Sequence, residues 1–151
     1  MSVPQRRRRA VSTAREWIGT PYRHQASVPH VGMDCLGLVR ALWRSIEGRE
    51  PEPTPNYASV WAESGTCERL EDAARRHFTP ARVADIRPGD VLLFRMRPGA
   101  LVKHCGLATG QETFIHAYQG AGTVETRLAG AWLRRLAGAV RFPSLADQES
   151  V

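Results

Sequence analysis

Asp34-Cys35-Leu36-Gly37-Leu38-Val39 is the stretch that decides the fold, because it opens a helix directly after a long loop. Apolar residues recur at helical spacing from this stretch to Ile46, Asp34 is a typical N-cap residue, and Gly48 is placed to end the helix. Cys35 therefore falls in the first turn of the predicted helix. Free backbone N–H groups and the helix dipole favour negative charge there.

This position makes Cys35 a candidate nucleophile. A thiol attacks a carbonyl carbon only as the thiolate, and a helix N-terminus lowers the pKa of a thiol. The same N–H groups can bind the oxyanion that forms during the attack. The alternative is that Cys35 is a small buried apolar residue, as most unreactive cysteines are.

The segment before this stretch is predicted to form a helix and then a loop. Between Pro4 and Ile18 the apolar residues follow the three-to-four spacing of an amphipathic helix, and Gly19 is placed to end it. Residues 22–33 include His24 and His30 and show no periodicity. A loop of about a dozen residues is long enough to suggest a function.

After Pro80 the pattern changes to short runs bounded by glycine. Predicted strands cover residues 91–95, 102–108, 113–117, 124–127 and 136–142, with a short helix over 131–135. These lengths and turn residues are typical of a small antiparallel sheet. Residues 59–78 are predicted to form one or two surface helices. Helices before strands favour the α+β class.

The composition is that of one globular domain. The chain has 151 residues, of which 42% are hydrophobic and 24% charged, with a net charge of +6. We expect a basic N-terminal arm over residues 1–10, a folded domain over 11–143 and a C-terminal tail over 144–151. The arm holds Arg6 to Arg9, which we predict to be solvated and frayed, with contact to a polyanion as the alternative.

No export signal or membrane span is expected. Residues 11–16 are not the apolar stretch that a twin-arginine signal requires, and no segment approaches the roughly 20 apolar residues of a membrane span. We therefore expect synthesis in the cytoplasm without an export route of its own. Three cysteines and no CxxC motif argue against a disulfide framework or a zinc ribbon.

His104 and His116 are the candidate bases, since both fall in short strands joined by a tight connection. A three-residue loop over 109–111, with Gly110 in the left-handed conformation, would pair 108 with 112 and place the two histidines opposite one another. Cys105 would then lie on the other face, in the core. Each histidine taken singly has a structural role as its alternative.

Several motifs together are similar, in order and spacing, to those of NlpC-type cell-wall peptidases. They are Tyr22, Asp34 to Val39, Arg87-Pro88-Gly89-Asp90-Val91-Leu92-Leu93-Phe94, Lys103-His104-Cys105-Gly106 and Phe114-Ile115-His116-Ala117. The resemblance spans Ala14 to Arg141. It implies a papain-like fold in which N-terminal helices pack on a small antiparallel sheet, with the active site between them.

The resemblance also implies roles for individual residues. Cys35 would be the nucleophile, His104 the base and then the acid, and His116 the residue that orients His104. Tyr22, whose hydroxyl would lie near the thiol, and Asp34 are assigned to substrate binding or oxyanion support. The implied reaction is hydrolysis of peptide bonds in peptidoglycan stem peptides through a thioester, without a cofactor.

Two departures from the common family pattern point to a particular branch. Leu36 replaces a serine found in many members, and Arg23-His24-Gln25-Ala26-Ser27 replaces a glycine-rich, aromatic stretch. Both look like the branch found in tail gene clusters of phages and gene transfer agents. That resemblance implies tail proteins as partners, incorporation in a phage-like particle, and action at the cell wall or periplasm.

Three other functions are weighed against this one. A zinc site formed by His24, His30 and Cys35 fits no recognised ligand spacing, so no metal is expected. A structural tail-tip component with little activity is the main alternative. A nucleic-acid-binding module is disfavoured, because no basic stripe interleaved with aromatic residues occurs outside Arg6 to Arg9.

Overall fold

The computed structural model describes residues 1–51 and 69–146. Its helices are α1 (Val3–Glu16), α2 (Cys35–Ile46), α3 (Arg69–His77) and α4 (Gly130–Arg135). Its strands are β1 (Ser27–Val28), β2 (Gly32–Met33), β3 (Thr79–Ala81), β4 (Val91–Arg95), β5 (Val102–Ala108), β6 (Thr113–Tyr118), β7 (Gly122–Arg127) and β8 (Leu136–Arg141). Much of the helical region predicted over residues 59–78 lies outside the described residues.

Six strands form one sheet in the order β3-β8-β4-β5-β6-β7, and every neighbouring pair is antiparallel. One face of the sheet packs on α1 and α2 around the larger hydrophobic cluster, which includes Leu38, Leu93 and Leu107. The other face carries a smaller, aromatic cluster that Trp132 of α4 covers. The predicted α+β class and antiparallel sheet are confirmed.

Helix α2 begins as the sequence predicts. The Asp34 carboxylate accepts a hydrogen bond from the backbone N–H of Gly37 at 2.7 Å, which caps the first turn. Gly37 is needed for a close approach, because an added Cβ would lie 1.9 Å from the carbonyl oxygen of Ala26. The glycine therefore allows the preceding loop to pack directly against the helix.

Helix α1 gives the arginine run an unexpected environment. A capping box at Ser2 starts the helix, which continues through the boundary predicted between residues 10 and 11. Arg7 is only 6% exposed, so the prediction of a solvated, frayed run is wrong at this residue. Arg8 and Arg9 remain exposed. The division of the chain into arm, domain and tail stays a prediction.

The β5–β6 hairpin differs from the predicted register by one residue on each strand. Ala108 pairs with Phe114, and the Thr109 N–H donates to the Thr113 carbonyl at 3.0 Å, so the three loop residues are 110–112. Because the loop still has an odd length, His104 and His116 share a face, but they lie diagonally. Gly110 is absent from the described residues with positive φ, so its predicted left-handed conformation is wrong.

The two strands separate beyond this hairpin end. Their recorded pairs are Leu107 with Ile115 and Ala108 with Phe114, whereas β4 pairs with β5 as far as His104 and Val102. At Gly106 an added Cβ would lie 2.7 Å from the Ile115 carbonyl oxygen and 3.1 Å from Cβ of His116. The missing side chain of Gly106 thus allows β6 to stay close to β5 at Ile115 and His116, next to the point where the strands separate.

Candidate active site

Cys35 is the first residue of α2 and lies against the start of β5. Its Sγ is 3.7 Å from the carbonyl oxygen of Lys103, the residue before His104. The side chain is only partly buried. The helix N-terminus, with its exposed N–H groups and positive dipole end, therefore meets the sheet where β5 and β6 separate.

The surroundings of Cys35 favour the thiolate. Its pKa lies well below the ordinary value, first because the Cys105 thiol donates a hydrogen bond to it, and then because of hydrogen bonding and charge from His104. Burial and the Asp34 carboxylate oppose this shift.

Cys105 is a buried thiol that assists Cys35. Its pKa is raised well above the ordinary value by the hydrogen bond to Cys35, by burial and by nearby negative charge. The Cys105 thiol also donates to the Cys35 carbonyl oxygen at 3.3 Å, so its single proton is shared between that oxygen and the Cys35 side chain. The predicted core position of Cys105 is confirmed, since the residue is fully buried in the larger cluster. Its contact with Cys35 adds a role that the sequence did not indicate.

The two histidines form a hydrogen-bonded series with a threonine. Nε2 of His104 lies 2.8 Å from Nδ1 of His116, so the predicted contact between the imidazoles is present. Nε2 of His116 lies 2.9 Å from Oγ1 of Thr126 on β7. Because Nε2 of His104 is used in this contact, Nδ1 is the ring nitrogen of His104 that remains for another partner.

His116 is neutral at physiological pH. Burial, and secondly the charge of His104, lower its pKa to about 3, and the side chain is 1% exposed. A neutral imidazole has one N–H donor and one acceptor nitrogen. When Thr126 accepts from Nε2–H, Nδ1 of His116 can accept from Nε2–H of His104. This tautomer suits a protonated His104 beside a Cys35 thiolate.

Sequence reasoning missed Thr126 and two aromatic residues. Thr126 is two positions from Val124, the register partner of His116, so strand parity places it on the same face. The Trp132 ring lies 5.4 Å from the His104 ring and 4.8 Å from the His116 ring, centroid to centroid. Tyr118 stacks on His116 at 5.5 Å. These rings hold the imidazoles and exclude water from them.

Tyr22 lies in the electrostatic environment of the thiol. Burial raises its pKa to about 12, followed by the charges of Cys35, Asp34 and Cys105. The phenol therefore stays protonated and can donate a hydrogen bond. The role assigned to Tyr22 in substrate binding or oxyanion support stays a prediction.

Asp34 has a different geometry from that of a direct oxyanion contact. The side chain is 2% exposed, and its oxygens accept from the N–H groups of Gly37 and Gln25, each at 2.7 Å. A carboxylate cannot donate to an oxyanion. The contribution of Asp34 is therefore indirect, through the loop and helix turn that it holds beside Cys35.

Within residues 1–51 and 69–146, no group of three or more histidine, cysteine, aspartate or glutamate side chains could hold a metal ion. His24, His30 and Cys35 therefore do not form the alternative zinc site. In the same part of the chain, no helix has the length and apolar character needed to cross a membrane.

Comparisons with known proteins agree on one family. Residues 19–141 match the NlpC/P60 family. The murein DD-endopeptidase MepH of Escherichia coli is 28% identical over 134 residues, which are 87% of this chain and 44% of that protein. The gamma-DL-glutamyl hydrolase of Bacillus subtilis is 28% identical over 136 residues, 89% of this chain and 29% of that protein. The chain thus spans less than half the length of these relatives.

Solved structures show the same fold. The NlpC/p60 domain of the peptidoglycan hydrolase SagA has a TM-score of 0.62 and 27% identity, covering 88% of this chain and 96% of that one. An NlpC/P60 family protein from Bacillus cereus has a TM-score of 0.64 and 17% identity, covering 94% of this chain and 40% of that one. Sequence and fold together show that the chain belongs to the NlpC/P60 family and has its papain-like α+β fold.

Proposed function

We propose that the chain is a cysteine peptidase that hydrolyses peptide bonds in peptidoglycan stem peptides. The observation that carries this proposal is the approach of the Cys35 helix N-terminus to the His104–His116–Thr126 series. Relatives named as a murein endopeptidase and a peptidoglycan hydrolase support action on the cell wall. Cys35, His104 and His116 are the proposed catalytic residues.

The first half of the reaction forms a thioester. The Cys35 thiolate attacks the carbonyl carbon of the scissile bond, and the carbonyl oxygen becomes an oxyanion. Asp34 uses the N–H groups of Gly37 and Leu38, so those of Cys35 and Leu36 receive the oxyanion with the Tyr22 hydroxyl. Protonated His104 gives its proton to the leaving nitrogen, and the C–N bond breaks.

The second half releases the acyl group. Neutral His104 takes a proton from water, whose oxygen attacks the thioester carbon. The C–S bond then breaks, which restores the Cys35 thiolate beside protonated His104 and releases a carboxylic acid that loses its proton to solvent. His116 stays neutral throughout and accepts the hydrogen bond from Nε2 of His104.

Digestion of purified peptidoglycan tests the proposal. The wild-type protein should release stem-peptide fragments that mass spectrometry identifies, while Cys35→Ala should release none above background. Equal thermal unfolding midpoints would show that the variant is folded. Equal release by the two proteins, or none by either, contradicts a Cys35 peptidase.

We also propose that the enzyme is carried on a phage-like tail, together with other tail proteins. Leu36 and the Arg23 to Ser27 stretch support this, because both resemble the tail-cluster branch of the family. Immunoblots of purified particles and of the particle-free fraction test the proposal. Absence from particles contradicts it, whereas presence in particles with no hydrolysis favours the alternative of a structural tail-tip component.

A further inference from the structure

An open cavity of about 520 Å³ lies beside the candidate active site. It is bounded by α4, the start of β8 and the segment that follows β4. Four of the residues that line it are arginines, namely Arg95, Arg97, Arg134 and Arg135. No residue of the lining is acidic. A concave surface with several guanidinium groups and no carboxylate favours an anionic ligand.

Trp132 connects this cavity to the histidines. The Arg135 guanidinium carbon lies 5.0 Å from the centroid of the Trp132 ring. The His104 ring lies 5.4 Å from the same indole. The guanidinium is therefore within about 10 Å of the His104 ring. An extended peptide advances about 3.3 to 3.6 Å per residue, so this distance corresponds to about three residues.

Arg134 and Arg135 are the arginines that can take up a new anion. Arg95 donates to the Ala100 carbonyl oxygen at 2.7 Å and lies 3.8 Å from the Glu71 carboxylate, so its charge is partly balanced. In the described part of the chain, neither Arg134 nor Arg135 has a carboxylate partner. Arg134 is exposed and Arg135 is half-buried, so a ligand can reach both.

We propose that this cavity is a subsite for a free carboxylate of the peptide substrate, about three residues or fewer from the scissile bond, with Arg134 and Arg135 as its ligands. This inference rests on the proposed function. A γ-glutamyl linkage uses the side-chain carboxyl and leaves the α-carboxylate free for recognition. Stem peptides and γ-glutamyl oligomers both contain this group, and a guanidinium can bind it through two parallel hydrogen bonds.

Binding to the inactive Cys35→Ala protein tests the subsite separately from catalysis. Calorimetry would compare a stem tetrapeptide that has a free α-carboxylate on its γ-D-glutamyl residue with the same peptide as the α-carboxamide. A γ-glutamyl trimer would test the second source of the carboxylate. We expect the carboxamide to bind about tenfold more weakly than the acid.

The arginine variants use the same Cys35→Ala background. Arg134→Gln/Arg135→Gln should bind the acid as weakly as the carboxamide, and Arg135→Lys, which keeps the charge, should retain most of the preference. Arg8→Gln/Arg9→Gln, on the exposed face of α1, removes the same net charge and should keep the full preference.

Three results would overturn the subsite. They are equal binding of acid and carboxamide by the Cys35→Ala protein, an unchanged preference in Arg134→Gln/Arg135→Gln, and an equal loss in Arg8→Gln/Arg9→Gln. The proposed function fails differently. If the protein with Cys35 intact hydrolyses neither peptide while the preference and its dependence on Arg134 and Arg135 remain, the peptidase is contradicted and the carboxylate site stands.

Discussion

Two buried polar networks lie near opposite ends of β4. They differ in whether their last member is buried or partly exposed to solvent. In one, Arg7 donates to Asp90 at 3.1 Å, and Arg141 donates to the same carboxylate oxygen at 3.0 Å. In the other, the Thr126–His116–His104 series leads to Cys35, whose side chain is partly exposed. His104 pairs with Phe94 near the end of β4, whereas Asp90 directly precedes the strand.

The difference teaches that burial of polar groups does not by itself identify a reactive site. The Arg7 guanidinium also donates to the carbonyl oxygens of Pro88 and Leu145, so its donors are directed to acceptors inside the protein. Such a closed network stabilises the fold. The histidine series instead leads to the partly exposed thiol of Cys35, which is the nucleophile in the proposed function. The following predictions test this contrast.

The largest effect should come from the histidines. We expect kcat to fall by a factor of roughly 10⁴ to 10⁶ in His104→Ala. The factor lost in His116→Ala should be smaller by about tenfold or more, because a base contributes more than the residue that orients it. Steady-state kinetics on a stem-peptide substrate would measure both. Equal losses would show that His116 acts directly on the substrate or the thiol.

The Arg7 network should affect stability and leave catalysis unchanged. Arg7→Ala removes one partner of the Asp90 carboxylate and the donors to the buried Leu145 carbonyl oxygen and the partly buried Pro88 carbonyl oxygen. We expect the free energy of unfolding to fall by about 3 to 5 kcal/mol. Urea denaturation would measure this loss, with Arg8→Ala on the exposed side of α1 as the control. A loss no larger than that of the control would contradict a structural role for Arg7.

Thr126 should have a smaller effect on turnover. Thr126→Val keeps the shape but removes the acceptor for Nε2–H of His116, so we expect kcat to fall about tenfold. Thr126→Ser should restore most of the rate. Thr123→Val on the same strand is the matched control, since its buried hydroxyl makes no hydrogen bond within the described residues. Similar rates in Thr126→Val and Thr123→Val would contradict a positioning role.

The smallest change should come from Cys105. Its hydrogen bond is the largest cause of the lowered pKa of Cys35, so Cys105→Ala should raise that pKa. Because the thiolate is the reactive form, the alkylation of Cys35 by iodoacetamide should require a higher pH in the variant. Mass spectrometry of the Cys35 peptide as a function of pH would measure the midpoint. An unchanged or lower midpoint would contradict this prediction, and Cys105→Ser should shift it less.

Much of the local structure was predictable from residue spacing. The bounds predicted for β4 and β5 agree with the structure, and Asp34 caps α2 with Cys35 in its first turn. The burial of Arg7 was not predicted, because the neighbouring residues Arg6, Arg8 and Arg9 have the same side chain. One signal was available, since Arg7 lies at helical spacing from the buried residues Ala10, Val11 and Ala14.

The hairpin shows where the local argument stops. An odd loop length was enough to place His104 and His116 on one face, because side chains alternate along a strand. The register itself was shifted by one residue per strand, and the rings meet diagonally where Gly106 brings the backbones together. The close approach occurs because Gly106 has no Cβ, so atoms of Ile115 and His116 on β6 can occupy that space. The spacing of residues along one strand does not predict such a contact.

The sequence by itself determined the helix that carries Cys35, the order of the strands along the chain and the shared face of the two histidines. These features follow from short-range rules: helical and strand periodicity, N-capping and the parity of a hairpin loop. Only the tertiary structure decided which arginine is buried, that Cys105 donates to Cys35, and that Thr126 and Trp132 contact the histidines of the candidate site. Those contacts join residues far apart in sequence, and packing between α2, the sheet and α4 brings them together.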